Sequence, residues 1–72
     1  MDKLAVLQNL GLDKIEAEVY LSLLTLGGSR ASDVAKKTGI KRTTVYPILK
    51  KMASAGLLNV YFRKNRRYFY AQ

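Results

Sequence analysis

One stretch of the chain decides its fold, and it reads Ala31-Ser32-Asp33-Val34-Ala35-Lys36-Lys37-Thr38-Gly39-Ile40-Lys41-Arg42-Thr43-Thr44-Val45-Tyr46. It predicts two short helices joined by a tight turn at Gly39, the second with a polar outer face. Ser32 or Ser29 is expected to cap the first helix, and Ile40 is expected to point into the core after the turn. This arrangement of two helices is typical of a helix-turn-helix unit.

The second helix of this unit is predicted to run from Arg42 to Ala55 and to end at Gly56. Its apolar residues have the i, i+3, i+4, i+7 spacing of one buried stripe, and they are Val45, Ile48, Leu49 and Met52. The opposite face and its flanks comprise Thr43, Thr44, Tyr46, Pro47, Lys50, Lys51 and Ser54. Because proline has no N–H and crowds the carbonyl four residues earlier, Pro47 is predicted to kink the helix or to shift its start toward Thr44.

Two further helices are predicted before this unit. The first is predicted over residues 1–12 and has Leu4, Leu7 and Leu10 on one side. These leucines either pack over the core or form a contact between two copies of the chain. A scaffold helix follows over residues 13–27, with Asp13 as its cap, Glu16 in the capping-box position and Gly27-Gly28 at its end. Its broad apolar face is expected to bury Ile15, Val19, Leu23 and Leu26, widened by Ala17, Tyr20, Leu21 and Leu24. Residues 29–31 leave room only for a turn or a short strand.

After Gly56 the apolar residues alternate, which predicts two strands over residues 57–71 around the turn 63–66. A two-residue turn at Lys64-Asn65 would pair Phe62 with Arg67 and Val60 with Phe69. A three-residue loop would instead put Val60 and Phe62 beside Tyr68 and Tyr70, and the sequence leaves both registers open. Five of the seven aromatic residues lie in this hairpin. They are expected to form cross-strand pairs and cover the core, with stacking on single-stranded bases as the alternative.

The charges of the chain are strongly segregated. The 72 residues, enough for one small domain, contain 13 Lys plus Arg against 5 Asp plus Glu, a net charge of +8. All five acidic residues lie in residues 1–33, where three basic residues leave a net charge of −2; residues 34–72 carry the other ten basic residues and +10. A field this strong at one end of the molecule points to a polyanionic partner such as nucleic acid or an anionic membrane surface.

The residue types that the chain lacks exclude several chemistries. It has no His and no Cys, which excludes disulfides, thiolate and imidazole catalysis, and zinc sites of the usual kind. No apolar run is long enough to span a membrane, and the N-terminus does not read as a signal peptide. We therefore expect a cytoplasmic, nucleoid-associated binding protein that is not an enzyme, with no cofactor, no metal and no membrane partner.

The basic residues cluster with the helix-turn-helix, which favours double-stranded DNA as the partner. A helix of this kind fits the major groove, where hydroxyl and methyl groups can reach base edges, here from Thr43, Thr44 and Tyr46. Phosphate contacts are expected from Lys41, Arg42, Lys50 and Lys51 of the second helix. The hairpin is expected to act as a wing that grips the flanking backbone through Arg63, Lys64, Arg66 and Arg67. The role of Arg30 stays undecided.

The chain also resembles a known family. The residues that carry the resemblance are Leu10-Gly11-Leu12, Glu16-Ala17, Val19-Tyr20-Leu21-Ser22-Leu23-Leu24, Gly27, Ala31-Ser32-Asp33-Val34-Ala35, Gly39-Ile40, Arg42-Thr43-Thr44-Val45-Tyr46, Ile48-Leu49 and Ala55-Gly56-Leu57-Leu58. On these residues nearly the whole chain is similar to the N-terminal winged-helix domain of TrmB-type transcriptional regulators. The resemblance implies that residues 1–72 form a single winged helix-turn-helix domain, mainly α with a small β-hairpin (α+β). The helix after Gly39 would then be the recognition helix.

Members of that family usually continue into a coiled coil and an effector-binding domain that often binds sugars, whereas this chain stops at the wing. A fragment or a single-domain relative is therefore expected, and no small-molecule effector site is evident in it. The sequence predicts a DNA-binding transcriptional regulator that acts as a homodimer on half-sites about one helical turn apart. The alternatives are an architectural DNA-binding protein without sequence preference, an RNA- or single-strand-binding module, and a winged helix that binds an acidic protein.

Overall fold

The computed structural model describes residue 9 and residues 11–71. In this part of the chain three helices precede one antiparallel hairpin: α1 (Lys14–Leu26), α2 (Ala31–Thr38), α3 (Arg42–Ser54), β1 (Leu58–Arg63) and β2 (Arg66–Ala71). The predicted α+β class, with the helices first and a small hairpin last, is confirmed. The predicted N-terminal stripe of Leu4, Leu7 and Leu10 lies outside the described residues.

The two ends of α1 follow from the local sequence. Asp13 Oδ1 accepts a hydrogen bond from the Glu16 N–H at 2.7 Å, while Glu16 Oε1 accepts one from the Asp13 N–H at 3.0 Å. This reciprocal pair is the predicted capping box. At the other end Gly27 has a φ of 77°, which glycine adopts without a steric penalty. Its N–H donates to the Leu23 carbonyl at 2.8 Å, so both predicted ends of the scaffold helix are confirmed.

The predicted apolar stripe of α1 is only partly correct. Val19 and Leu23 are buried in the core, but Ile15, Leu24 and Leu26 remain 45%, 52% and 42% exposed. Ile15 and Leu26 lie in the first and last turns of the helix. Leu24 follows Leu23 on the helix and is therefore turned by about 100° away from it. The described part of the chain leaves these three side chains at the surface.

The cap of α2 differs from the prediction. The helix begins after Arg30, whose N–H donates to Asp33 Oδ2 at 3.0 Å and whose Nε lies 3.4 Å from the same oxygen. Ser29 Oγ instead donates to the Gly27 carbonyl at 2.9 Å, and Ser32 lies inside the helix. The prediction of a serine cap is therefore wrong. A carboxylate at the third helical position satisfies the first amide and complements the positive end of the helix dipole.

The turn into α3 forms at Gly39 as predicted, with the glycine in the left-handed conformation at φ 77° and ψ 3°. The N–H groups of Thr44 and Val45 both donate to the Lys41 carbonyl, at 2.9 and 3.0 Å, and α3 therefore begins at Arg42. The helix continues through Pro47 to Ser54. The predicted alternative of a start shifted toward Thr44 is wrong, and the kink stays a prediction.

The hairpin has the register of the two-residue turn. Phe62 pairs with Arg67 and Val60 with Phe69, while Lys64 and Asn65 have φ values of 52° and 63°. Two successive positive φ values are the mark of a type I′ turn, whose twist matches that of the flanking strands. The alternative three-residue loop is thereby excluded.

One more strand position joins this sheet from the connection between α1 and α2. The Ser29 N–H donates to the Phe69 carbonyl at 2.9 Å, and the Phe69 N–H donates to the Ser29 carbonyl at 2.8 Å. The residues before α2 therefore form an isolated bridge at Ser29, which is less than the short strand that was one of the two predicted possibilities. Phe69 brings its ring into a core shared by all three helices and the hairpin, formed by Val19, Leu23, Ala31, Val34, Val45, Leu49, Met52, Leu58 and Phe69.

Candidate nucleic-acid interface

The outer face of α3 is exposed over its whole length. Arg42, Thr43, Thr44, Pro47 and Lys50 are all exposed, and Lys41 is exposed just before the helix. The face is set by the burial of Val45, Leu49 and Met52 on the other side. The polar and basic residues that the sequence predicted for this face therefore share one accessible surface.

Tyr46 is the exception on this face, because it is half-buried and tied to the hairpin. Arg67 Nη1 donates a hydrogen bond to Tyr46 Oη at 2.7 Å. The Arg67 guanidinium carbon lies 5.9 Å from the centre of the Tyr46 ring and 5.3 Å from that of Phe62. Cations within about 6 Å of an aromatic ring are attracted to its face. The guanidinium therefore joins α3 to both strands of the hairpin.

Two other residues complete the surroundings of Tyr46. Lys50 Nζ lies 5.7 Å from the centre of its ring, one helical turn along α3. The Phe69 ring meets the Tyr46 ring edge to face at 6.3 Å, a favourable geometry for aromatic pairs. Tyr46 is thus held from the wing, from its own helix and from the core, and its hydroxyl already accepts a hydrogen bond.

Lys51 contacts α1 rather than the wing. Its Nζ lies 2.9 Å from Glu16 Oε2, and the Glu16 side chain is only 7% exposed, against 74% for that of Lys51. The hydrogen bond from Lys51 lowers the pKa of Glu16 below its ordinary value, helped by the bond from the Asp13 N–H and opposed by burial. The same bond raises the pKa of Lys51. The ion pair fixes α3 against the first turn of α1.

The turn of the hairpin carries a dense basic cluster. Arg63 and Arg66 face each other directly across the strands, with Lys64 exposed between them. Like charges at directly opposed positions destabilise a sheet. An anionic partner at this end of the hairpin would remove that cost.

Three tyrosines lie on the face of the hairpin that is opposite Arg67 and Phe69. The Tyr61 and Tyr68 rings stack at 5.2 Å, and the Tyr70 ring lies 5.6 Å from that of Tyr61. The predicted cross-strand aromatic pairs are therefore present.

A cleft of about 320 Å³ lies where the start of α2, the first turns of α3 and the wing meet. Its polar lining is Arg30, Ser32, Arg42, Tyr46, Asn65, Arg66 and Arg67. Three of these arginines belong to the predicted site, and the cleft brings them together with Arg30. The sequence did not indicate this residue as part of the site. The sequence feature that could have indicated Arg30 is Asp33 three residues later, because Asp33 accepts a hydrogen bond from the Arg30 N–H at the start of α2.

The remaining predicted residues are not gathered in this cleft. Lys50 lies farther along α3, Arg63 and Lys64 lie at the end of the hairpin, and Lys51 lies on the side of α1. Within residue 9 and residues 11–71, no helix is long and apolar enough to cross a membrane. The same residues contain no group of three or more carboxylates suited to hold a metal ion.

The fold and this basic surface define a winged helix-turn-helix protein, in which α3 is the second helix of the unit and the hairpin is the wing. A family model described as "Sugar-specific transcriptional regulator TrmB" matches residues 7–72. The chain belongs to this TrmB family of transcriptional regulators, as its motifs indicated.

A similar protein shows how much of a whole regulator this chain corresponds to. The chain is 42% identical over 62 residues to a protein of Pyrococcus furiosus named "HTH-type sugar sensing transcriptional regulator TrmBL1". The aligned residues cover 86% of this chain but 18% of the relative. The chain therefore spans less than a fifth of the length of that regulator.

Proposed function

We propose that this chain binds double-stranded DNA and serves as the DNA-binding domain of a transcriptional regulator. The observation that carries the proposal is the attachment of α3 to the wing through Tyr46 and Arg67. This attachment gives one continuous basic surface, and no acidic residue follows Asp33 in the chain. Membership of a family of transcriptional regulators supports the same function.

The proposed docking places α3 in the major groove. Thr43 and Thr44 are exposed near its start, and their hydroxyl and methyl groups match base-edge acceptors and the thymine methyl group. The Tyr46 hydroxyl accepts a bond from Arg67 and keeps its own O–H to donate. We therefore assign Tyr46 a donor contact to a base-edge acceptor.

Phosphate contacts supply the affinity in this proposal. They come from Lys41, Arg42 and Lys50 around α3, and from Arg63, Lys64, Arg66 and Arg67 on the wing. Lys51 is expected to contribute least to phosphate binding, since its ammonium is held by the buried carboxylate of Glu16. Such contacts orient the protein on the duplex without reading its sequence.

We further propose that the regulator acts as a homodimer in the cytoplasm, on two half-sites about one helical turn apart, as is usual for helix-turn-helix proteins. A sugar is named in the descriptions of the family and the relative. A sugar effector of the whole regulator is therefore the natural candidate, and residues 1–72 would carry its DNA-binding function.

The proposal is tested by selecting bound duplexes from a random pool and then measuring affinity against salt concentration. About six phosphate contacts, made by most of the seven basic residues named above, predict a log–log salt slope near −5. Arg66→Ala should weaken all duplexes alike and flatten the slope, while Thr43→Ala should change sequence preference. No saturable binding near physiological salt would overturn the proposal. Binding without preference would favour an architectural role.

The outer face of the wing favours a second candidate, an RNA- or single-strand-binding module. Tyr61 and Tyr70 are 38% and 37% exposed, and tyrosines stack on unpaired bases. Because Tyr61 already stacks on Tyr68, we rank this function lower. Competition between duplex DNA, duplex RNA and single strands decides between the two, and Tyr61→Leu should weaken only single-strand binding.

A further inference from the structure

The cleft between the start of α2 and the wing has the composition of an anion site. Its polar lining combines four arginines with Ser32, Tyr46 and Asn65, and it contains no carboxylate. The nearest acidic side chain in sequence, Asp33, has one oxygen engaged by the N–H and Nε of Arg30. Arg30 is paired with Asp33, and Arg67 with the Tyr46 hydroxyl. An anion in the cleft would still reduce the repulsion among the four neighbouring cations.

The donors of the cleft suit a phosphate group. A guanidinium presents its N–H groups in a planar fork that matches two phosphate oxygens at once. The cleft also contains the first turn of α2, where Ala31 and Ser32 precede the first amides that bond within the helix. Unbonded amides at a helix start, with the positive end of the dipole, favour the same ligand.

Arg30 is held ready for such a contact. Asp33 accepts from its backbone N–H at 3.0 Å and from Nε at 3.4 Å, which leaves the outer end of the guanidinium for a ligand. The Arg30 side chain is 36% exposed, so it is accessible to a ligand. Less conformational entropy is lost when a preorganised fork of this kind binds.

We propose that this cleft binds one phosphate of the DNA backbone, with Arg30 as a specific phosphate ligand that the helix-and-wing surface described above does not include. The inference rests on the proposed DNA-binding function. It adds α2 to the interface, so that one phosphate is held jointly by both helices of the unit and by the wing.

The test compares Arg30→Gln with Lys37→Gln on the duplex obtained by selection from the random pool. Lys37 is the matched control, because it is an exposed cation of the same helix that lies beside Thr25 of α1, outside the cleft. Arg30→Gln should weaken binding about tenfold or more, the effect of one charge-assisted hydrogen bond. Lys37→Gln should leave binding nearly unchanged, and Arg30→Lys should lie between. Thermal melts of each variant verify folding.

A second measurement locates the phosphate. Single methylphosphonate substitutions along the duplex remove one charge at a time. One position should weaken the wild-type chain about tenfold and Arg30→Gln clearly less, because one of the partners of that phosphate is already lost in the variant. If every substitution weakens both proteins by the same factor, Arg30 has no single phosphate partner and the inference is overturned.

A titration with free phosphate distinguishes a failure of the cleft assignment from a failure of the proposed DNA-binding function. Inorganic phosphate added to the wild-type chain without DNA should shift the Nε–H NMR signal of Arg30 in a saturable manner. Equal DNA binding by Arg30→Gln and Lys37→Gln would overturn the cleft assignment and leave the proposed function intact. If no variant binds any duplex while phosphate still shifts Arg30, both the proposed function and the DNA assignment fail, and the cleft binds free phosphate instead.

Discussion

Arg67 in β2 and Tyr46 in α3, separated by 21 residues in sequence, share a hydrogen bond of 2.7 Å between Nη1 and Oη. The bond connects the two elements that form the proposed DNA-binding surface. It also leaves Arg67 between two aromatic rings rather than free at the surface. This polar contact therefore adds a directional bond between the wing and α3 to the packing of Leu58 and Phe69 in the core.

Tyr46→Phe should remove this bond and keep the ring. Since the Arg67 donor can then turn to water, we expect a loss of about 1 kcal/mol in the free energy of unfolding, together with weaker DNA binding. Urea titrations and binding isotherms measure both. Tyr70→Phe is the control, because it removes a hydroxyl from the other face of the hairpin; equal effects of the two variants would contradict the prediction.

Although Lys50 and Lys51 are adjacent, Lys50→Ala should mainly affect DNA binding and Lys51→Ala should mainly affect the stability of the fold. Lys50→Ala is expected to reduce the salt slope of DNA binding by about 1 while the melting temperature changes little. Lys51→Ala leaves the buried Glu16 carboxylate without its partner, so it should lower the melting temperature and change DNA binding less than Lys50→Ala does. The opposite pattern would show that Lys51 contacts phosphate.

The Glu16–Lys51 ion pair predicts a pH dependence of stability. The pKa of Glu16 is lowered in the folded chain from 4.5, first by the hydrogen bond from Lys51. Its stabilisation is therefore present above pH 4.5 and is lost as the pH falls through the lower folded value. The pKa of Lys51 is raised from 10.5, so this contribution is lost as the pH rises through the higher folded value.

Unfolding free energies measured across these two ranges check the sign of both effects. Asp33 also has a lowered pKa, mainly through the bond from the Arg30 N–H, and it adds an acid effect of the same sign. Lys51→Met should therefore weaken the acid dependence and abolish the alkaline part. An unchanged profile in this variant would exclude the ion pair as the cause.

Pro47→Ala should stabilise α3. The substitution restores an N–H that can donate to the Thr43 carbonyl, and we expect a gain of about 1 to 3 kcal/mol, reduced by the greater freedom of the unfolded chain. Thermal and urea denaturation measure the gain, and a loss of stability would contradict it. A loss of DNA binding in the stabilised variant would show that the proline shapes the binding surface.

Gly28→Ala should disturb the tyrosine face of the wing. A Cβ at residue 28 would collide with the Tyr61 hydroxyl, and such overpacking typically costs about 1 kcal/mol or more. Tyr61→Phe removes the colliding oxygen. The double variant should therefore be more stable than the sum of the two single effects predicts, and simple additivity would refute the contact.

Much of the fold could be predicted because its signals are local. The capping box of Asp13 and Glu16 and the turn at Gly39 each depend on residues a few positions apart. The hairpin register was predicted only as one of two possibilities, since it depends on Lys64 and Asn65 both adopting positive φ. The serine cap failed because Ser29, Ser32 and Asp33 all offered acceptors, and pairing with the sheet positioned Ser29 elsewhere.

The candidate site was less predictable, because its geometry depends on distant residues. The basic residues of α3 and the wing were evident from composition. The ion pair of Lys51 joins residues 35 positions apart in sequence, and no periodicity indicates it. Arg30 enters the cleft only because α2 starts beside the wing, which is a consequence of tertiary packing.

The pairing of Ser29 with Phe69 has a consequence for how the chain folds and responds. It closes a loop of about forty residues that contains the helix-turn-helix, and closing so long a loop costs chain entropy and slows folding. The wing cannot then loosen as a separate arm without also freeing the connection between α1 and α2. A displacement of β2 at Phe69 would therefore strain or break its two backbone bonds to the residue just before Arg30, the cap of α2.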